Sequence, residues 1–136
     1  MSFVQHLNPK SAPTPSGTYS QLAITAPQTR VAVFSGQIDM SAPAAESPRG
    51  AAEQTRAVFA AIAELLASQG AQPADLIKLT TYIVGRSHLK DFNEVRSGIY
   101  AQWFPGGDTP ANTLLLVAGL AHEALLVEIE GSFVCP

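Results

Sequence analysis

Two carboxylates near the C-terminus are placed where they could act on a ligand. The segment 126–130 has the sequence Leu-Val-Glu-Ile-Glu. Because side chains alternate between the two faces of a β-strand, Glu128 and Glu130 share one face and the aliphatic residues share the other. A carboxylate among aliphatic side chains is costly unless it is paired or used. The alternation alone does not choose between the two, since each could be a functional acid or a solvated carboxylate. We take Glu128 as the candidate functional acid and Glu130 as a solvated carboxylate.

Three other short segments carry polar groups of the kind that ligands contact. They are Gly-Thr-Tyr-Ser-Gln at 17–21, Phe-Ser-Gly-Gln-Ile at 34–38 and Thr-Pro-Ala-Asn-Thr-Leu at 109–114. Glycine at position 36 would let a ligand approach the main chain closely, although a glycine that only ends a strand is equally common. A tyrosine such as Tyr19 at the start of a strand is often a packing residue with a solvated tip. Each segment alone is too short to be specific.

Taken together and in this order, the three segments and Val-Glu-Ile-Glu at 127–130 resemble the characteristic elements of the Rid family, also called YjgF or endoribonuclease L-PSP. The resemblance extends over nearly the whole chain and is more specific than any one motif. It implies an α+β, chorismate-mutase-like fold. It also implies a homotrimer whose sheets close around a central core and whose ligand clefts lie between neighbouring subunits.

The same resemblance implies roles for individual residues. Glu128 would help to position an attacking water, which requires an acceptor within hydrogen-bonding reach of that water. The hydroxyl and ring of Tyr19 would line the ligand cleft. Ser35 and Gly36 would offer a hydroxyl and backbone N–H groups to the ligand.

Asn112 departs from the family pattern, in which an arginine is expected at this place. In the imine-hydrolysing members that arginine holds the substrate carboxylate by two charged hydrogen bonds, which a neutral amide cannot reproduce. Losing one partner of such a pair costs about 2–5 kcal/mol, or roughly 30- to 5,000-fold in affinity. We therefore expect ordinary 2-imino acids to be poor substrates. A carbonyl, amide or hydroxyl would suit Asn112, because an amide both donates and accepts hydrogen bonds.

Two further positions follow from comparison with the family pattern. Leu114 stands where a cysteine is frequent, so only its backbone groups could help to hold the water. Arg96 falls roughly where the family has an asparagine in the second helix, and it is a candidate for the missing positive charge. An arginine on an amphipathic helix is more often solvated than bound to a ligand. Other candidates of lower standing are Arg30, Arg49, Arg56 and Arg86.

Composition limits the possible classes of protein. A chain of 136 residues fits one domain, 1–136, long enough to bury roughly 65–70% of the surface of its unfolded form. Cys135 is the only cysteine, which excludes an intrachain disulfide framework and suits the cytoplasm. No segment approaches the ~20 apolar residues that span a bilayer. Because 14% of residues are charged and 46% are apolar, we expect other copies of the chain to cover part of the surface.

Several kinds of site are not expected from the sequence. The three histidines lack metal-ligand spacing, and no P-loop, dinucleotide fingerprint or nucleophile elbow is present, so we expect neither metal nor cofactor. The formal net charge of −3 and the lack of a basic stripe interleaved with aromatic residues disfavour nucleic acid and membranes as partners.

Periodicity predicts the elements that must position these residues. Strands are predicted at about 19–25, 30–36, 75–84, 113–118 and 124–134, with helices at 51–69 and from about 91. We expect Gly70 to cap the first helix, and Asp91 and Glu94 to form a capping box at the start of the second. Residues 8–18 should be irregular. This order favours an α+β sandwich with both helices packed on one face of a mixed sheet.

Two details of the strands are also predicted. The apolar run 31–35 is typical of a strand covered on both faces. In the strand 75–84, alternation places Leu76, Lys78, Thr80 and Tyr82 on one face.

Three functions remain open from the sequence alone. The first is a hydrolase of the deaminase type that adds water across the C=N bond of an imine or enamine other than a standard 2-imino acid and releases ammonia. The second is a non-catalytic trimer that binds a small ligand or has a regulatory role. The third is an endoribonuclease or translation inhibitor, for which an acidic chain is poorly equipped.

Overall fold

The computed structural model describes residues 3–136, which form six strands, two α-helices and three short 3₁₀ helices. The strands are β1 Val4–Leu7, β2 Leu22–Thr25, β3 Arg30–Gln37, β4 Leu76–Val84, β5 Ala111–Val117 and β6 Val127–Cys135. The helices are α1 Ala51–Ser68 and α2 Leu89–Trp103. The 3₁₀ helices are Ala42–Ala44, Pro73–Asp75 and Arg86–His88.

Four strands form one mixed sheet in the order β3-β6-β4-β5. Strand β6 is antiparallel to both of its neighbours, whereas β4 and β5 are parallel and α2 connects them. Strands β1 and β2 form a separate antiparallel pair. The predicted α+β architecture, with two helices packed on a mixed sheet, is confirmed.

The core lies between the sheet and the helices. Its largest fully buried side chains come from both layers: Val58, Ile62, Leu66 and Phe92 from the helices, and Leu76, Leu79, Ile83, Val127 and Ile129 from the sheet. In β6 the alternation is as predicted, since Val127 and Ile129 are buried while Glu128 and Glu130 lie on the opposite face. We call this opposite side the open face of the sheet.

The first helix ends as predicted. Gly70 has a φ of 67°, in the left-handed region that favours glycine. Its N–H donates to the carbonyl of Ala67 at 3.0 Å, and the N–H of Ala71 donates to the carbonyl of Leu66 at 2.9 Å. These two bonds make a Schellman motif, which satisfies the last carbonyl groups of α1.

Several predictions about the elements are wrong. Strand β1 was not expected, because its four residues Val-Gln-His-Leu show no strong alternation and gain their hydrogen bonds from the distant strand β2. Helix α2 begins at Leu89, directly after the 3₁₀ helix, so Asp91 lies inside the first turn and does not form a capping box with Glu94. Strands β2 and β6 begin three residues later than predicted.

Two predictions about strand faces also need correction. A register shift between Leu76 and Lys78 turns Leu76 into the core, away from the face of Lys78 and Tyr82. Strand β3 lies at the edge of the sheet and is covered on one face only, because Val31 and Val33 are 52% and 82% exposed. The open face therefore carries uncovered apolar side chains at its β3 edge.

Candidate functional site

A cavity of about 520 Å³ lies beside the edge strand β5, between the N-terminal segment and α2. We call it the β5 pocket. Four of the residues singled out in the sequence line it: Tyr19, Arg96, Asn112 and Leu114. Its other walls are Ser16, Gly17, Thr18, Leu89, Asn93 and Thr113. Residues from three parts of the chain therefore meet at one concave surface.

Asn112 is held in place from the core side of the sheet. The buried hydroxyl of Thr81 donates to Asn112 Oδ1 at 3.1 Å. Asn112 pairs with Leu79 in the parallel β4–β5 ladder, and both side chains are on the helix face of the sheet. Within the described part of the chain, Asn112 Nδ2 has no hydrogen-bond partner. With its oxygen engaged, Asn112 presents chiefly an N–H donor to a ligand.

The tyrosine segment is tied to the start of β5 by Ser20. The Ser20 hydroxyl donates to the Thr109 carbonyl at 2.6 Å, and its N–H donates to the Pro110 carbonyl at 3.2 Å. Ser20 is buried and lies 89 residues from Thr109 in sequence, so its role was not visible from the sequence. This link brings Tyr19 to the pocket.

The Tyr19 hydroxyl is itself held by the preceding turn. The Ser16 N–H donates to it at 3.3 Å, and the Ser16 hydroxyl lies 3.5 Å away. These hydrogen bonds from Ser16 lower the pKa of Tyr19 below its ordinary value. The phenol oxygen therefore has a defined position at the mouth of the pocket.

Arg96 contributes a positive charge that no acid in residues 3–136 pairs with. Its Cζ lies 5.1 Å from the centroid of the Phe92 ring and 5.7 Å from that of Tyr100. Its Nη2 donates to Asn93 Oδ1 at 3.0 Å, while its buried Nε has no hydrogen-bond partner. Burial lowers the pKa of Arg96 and raises the pKa of Tyr100 to about 12.

Asn93 was not identified as a site residue from the sequence. It lies one turn before Arg96 on α2, lines the pocket and accepts the Arg96 hydrogen bond. The spacing of three residues, which places two side chains on the same helix face, was the available signal.

Glu128 lies elsewhere, on the open face beside Gly36. A Cβ at position 36 would overlap the Glu128 carboxylate, lying 2.7 Å from its Cδ and 2.9 Å from its Cγ. Only glycine therefore leaves room for this side chain. Ser35 is exposed next to it, at a register shift in the β3–β6 ladder.

The two carboxylates of β6 have different surroundings. The Tyr82 hydroxyl donates to Glu130 Oε1 at 2.8 Å, and this hydrogen bond raises the pKa of Tyr82. Glu128 faces Tyr82 across the β4–β6 ladder, but no side chain among the described residues donates to it. The Glu130 carboxylate thus already accepts a hydrogen bond, whereas the Glu128 carboxylate can still accept hydrogen bonds from water or a ligand.

The candidate residues thus form two groups. Tyr19, Arg96, Asn112 and Leu114 share the β5 pocket. Ser35, Gly36 and Glu128 lie on the other face of the sheet, with β4 between β6 and β5. Within one chain, Glu128 does not line the β5 pocket.

Within the described part of the chain, no three His, Cys, Asp or Glu side chains come together in a group that could hold a metal ion. Neither helix within residues 3–136 combines the length and the apolar character that crossing a membrane requires.

Residues 9–135 match the protein family described as endoribonuclease L-PSP. A RutC family protein of Pyrococcus horikoshii is 34% identical over 122 residues, covering 89% of this chain and 90% of the relative. A RutC family protein of Pyrococcus abyssi is 32% identical over the same length, with 89% of each chain covered. The chain therefore belongs to the endoribonuclease L-PSP family, which is the Rid or YjgF family.

Solved structures agree with this assignment. The YyfB protein of Yersinia pestis, a conserved Rid family protein of unknown function, superposes with a TM-score of 0.78 at 30% identity over 97% of this chain and 98% of its own. A YjgF family member of Neisseria meningitidis gives a TM-score of 0.65 at 25% identity over 98% and 95% of the two chains. The predicted family and fold are confirmed.

Proposed function

We propose that the protein binds a small metabolite in the β5 pocket and hydrolyses the C=N bond of an imine or enamine that is not a standard 2-imino acid. The observation that carries the proposal is the meeting of Tyr19, Arg96 and Asn112 around one cavity of about 520 Å³. Such a volume lies in the range of small-molecule sites, and convergent polar groups in a concave surface are the usual mark of one.

The free carboxylate of Glu128 supports hydrolysis over mere binding. In the proposed reaction Glu128 accepts a proton from water while the water oxygen bonds to the imine carbon and the C=N π electrons move to nitrogen. Nitrogen takes back the proton held by Glu128, which gives the carbinolamine. The carbinolamine hydroxyl then gives its proton to Glu128 and nitrogen receives that proton, so that the C–N bond breaks, the oxygen electrons form the C=O bond and ammonia leaves. An enamine would first take up a proton at carbon to give the imine.

A second copy of the chain would bring Glu128 and the pocket together. The open face carries Val31, Val33 and Leu115, which are 52%, 82% and 43% exposed. Apolar side chains exposed at both edges of one sheet face favour burial of that face against another protomer. We propose a homotrimer in which Glu128 of one protomer faces the β5 pocket of its neighbour.

Subunit complementation tests this arrangement. The Glu128→Gln variant should form an inactive homotrimer. A double variant that combines Tyr19→Phe with Asn112→Ala should also form an inactive homotrimer. Co-expression of the two chains should restore part of the ammonia release, because some interfaces then combine an intact acid with an intact pocket. A mixture that stays inactive, or a protein that is monomeric by light scattering, would contradict the shared site.

The direct test of activity is ammonia release from imines and enamines generated in situ. The panel should include substrates that end in a carboxylate, an amide or a hydroxyl, and buffer alone is the reference. Acceleration on at least one class is expected. If none is accelerated, hydrolysis is wrong.

Non-catalytic ligand binding is the second candidate. It is favoured by Asn112, which removes the carboxylate-binding arginine that the family resemblance associates with imine hydrolysis. Ligand binding in the β5 pocket without ammonia release from any substrate would support this alternative.

A further inference from the structure

Among the described residues, Arg96 combines partial burial, a guanidinium that no carboxylate pairs with, and a buried donor without a hydrogen-bond partner. Arg49 shows the usual arrangement, since it forms ion pairs with the carboxylates of Asp39 and Glu53. Arg56 and Arg86 are exposed, where water solvates the charge. Arg96 has neither an ion pair nor full solvation, because its Nε is buried with no partner and its one hydrogen bond goes to the neutral Asn93.

An uncompensated guanidinium of this kind carries a free-energy cost. Removing a charge from water is unfavourable unless an opposite charge or hydrogen bonds replace the lost solvation. The rings of Phe92 and Tyr100 offset part of the cost by cation–π attraction. They also fix the guanidinium in place, which lowers the entropy lost when a ligand binds.

We infer that Arg96 is the charge-recognising group of the β5 pocket, and that the pocket takes an organic carboxylate whose neutral end reaches Asn112. This inference rests on the proposed use of the β5 pocket as a ligand site. Since Nε is buried, the carboxylate would contact the terminal nitrogens of the guanidinium. The Asn112 N–H donor would then bind a neutral carbonyl or hydroxyl oxygen of the same ligand.

The consequence is a substrate that carries a carboxylate and, separately from it, a neutral acceptor oxygen. Its carboxylate would bind on the α2 side of the pocket. An arginine at position 112, as in the family pattern, would instead bind the carboxylate on the β5 side. An arginine is well suited to this task, because its planar fork of donors matches the two oxygens of a carboxylate. A fully neutral metabolite would leave Arg96 unpaired and should bind less well.

A matched pair of probes tests the inference without any variant. We would titrate the ¹⁵N-labelled protein with 2-oxobutanoate and with 2-oxobutanamide, which have nearly the same shape and differ in charge. The carboxylate should bind roughly tenfold or more tightly than the amide, as expected for a charged hydrogen bond. It should also shift the Arg96 Nε–H resonance, which a purely structural role of Arg96 would not do.

Variants then assign the preference to one side chain. Arg96→Gln should abolish the preference for 2-oxobutanoate, and Arg96→Lys should retain part of it because the charge remains without the planar fork. Arg56→Gln, which removes the same charge from an exposed position on α1, is the control and should retain all of it. Equal affinity for the two probes, an unmoved Nε–H resonance or a preference that survives Arg96→Gln would overturn the inference.

The two proposals fail in different ways. Preferential binding of 2-oxobutanoate through Arg96, without ammonia release from any imine, would refute hydrolysis and leave the carboxylate site intact. Ammonia release from neutral imines at rates equal to those from anionic ones would support hydrolysis and refute the role of Arg96.

Discussion

The β5 pocket and the Glu128–Gly36 region of the open face differ in how completely one chain forms them. The pocket has its walls fixed by bonds within the chain, through Ser20 to Thr109 and through Thr81 to Asn112. Glu128 lies on a half-exposed face that includes uncovered apolar side chains. Each chain should therefore be able to bind a ligand by itself, whereas activation of the attacking water should require assembly of the trimer.

Glu128→Gln gives the sharpest test of this division. It should lower the rate of ammonia release by roughly 100-fold or more, the range expected for loss of a general base, and leave the affinity for 2-oxobutanoate unchanged. The measurement is steady-state kinetics combined with the titration described above. Glu130→Gln is the matched control, because Glu130 already accepts the Tyr82 hydrogen bond, and it should change the rate little. Equal losses in both variants would contradict the assignment of Glu128.

Gly36→Ala tests the position of the same carboxylate. The added methyl group would overlap the Glu128 side chain and displace it. A displacement of about 1 Å at a reacting group costs roughly 100-fold in rate, whereas the free energy of unfolding should change by less than about 1 kcal/mol, because only the end of a flexible, half-exposed side chain must move. Urea denaturation and kinetics measure the two effects.

Gly119→Ala is the control for this substitution, since a Cβ at position 119 meets no atom within 4 Å. It should leave both the rate and the unfolding free energy nearly unchanged. If Gly36→Ala behaves like Gly119→Ala, Glu128 does not depend on the space beside Gly36.

Exchanging the residues at positions 96 and 112 tests the pocket itself. Asn112→Arg alone would place two guanidinium groups in one cavity, where each disfavours the other. Combining it with Arg96→Asn leaves a single cation, now on β5. The double variant should therefore bind 2-oxobutanoate roughly 30-fold more tightly than Arg96→Asn alone. It should also exceed Asn112→Arg in ammonia release from 2-iminopropanoate.

The outcome is read from the ranking of the three variants. If Asn112→Arg alone is as active on 2-iminopropanoate as the double variant, Arg96 does not share the pocket with position 112. The two positions would then belong to separate regions of the molecule, and the pocket as described would be wrong.

The sequence predicts elements whose signal is local. The 3.6-residue spacing of α1 and the glycine at position 70 suffice for that helix and its end. Strand β1 depends on pairing with β2, and the turn of Leu76 into the core depends on a register shift against β6. Neither depends on local sequence, so neither could be predicted from periodicity.

Site residues could be predicted where they lie in short sequence motifs that occur in the same order as in the family. Such segments predict Tyr19, Asn112 and Glu128 as site residues, and their roles stay predictions. The buried setting of Arg96 could not be predicted, because it depends on how the rings of Phe92 and Tyr100, one turn before and one turn after it on α2, pack against Phe59 of α1. Nor could the sequence show that the sheet places Glu128 and Asn112 on opposite faces, since that depends on the order of β6, β4 and β5.

Thr81→Val has the smallest expected effect and tests whether the pocket is preorganised within one chain. The change keeps the shape of a buried side chain but removes the donor to Asn112 Oδ1. Asn112 can then rotate, so the affinity for 2-oxobutanoate should fall by roughly fivefold, equivalent to about 1 kcal/mol for one hydrogen bond. Thr80→Val, on the open face of the same strand, is the control and should not weaken binding. Should both variants bind 2-oxobutanoate as the wild type does, the hydrogen bond within the chain does not orient Asn112, and the contrast between a preformed pocket and an assembled acid loses its main support.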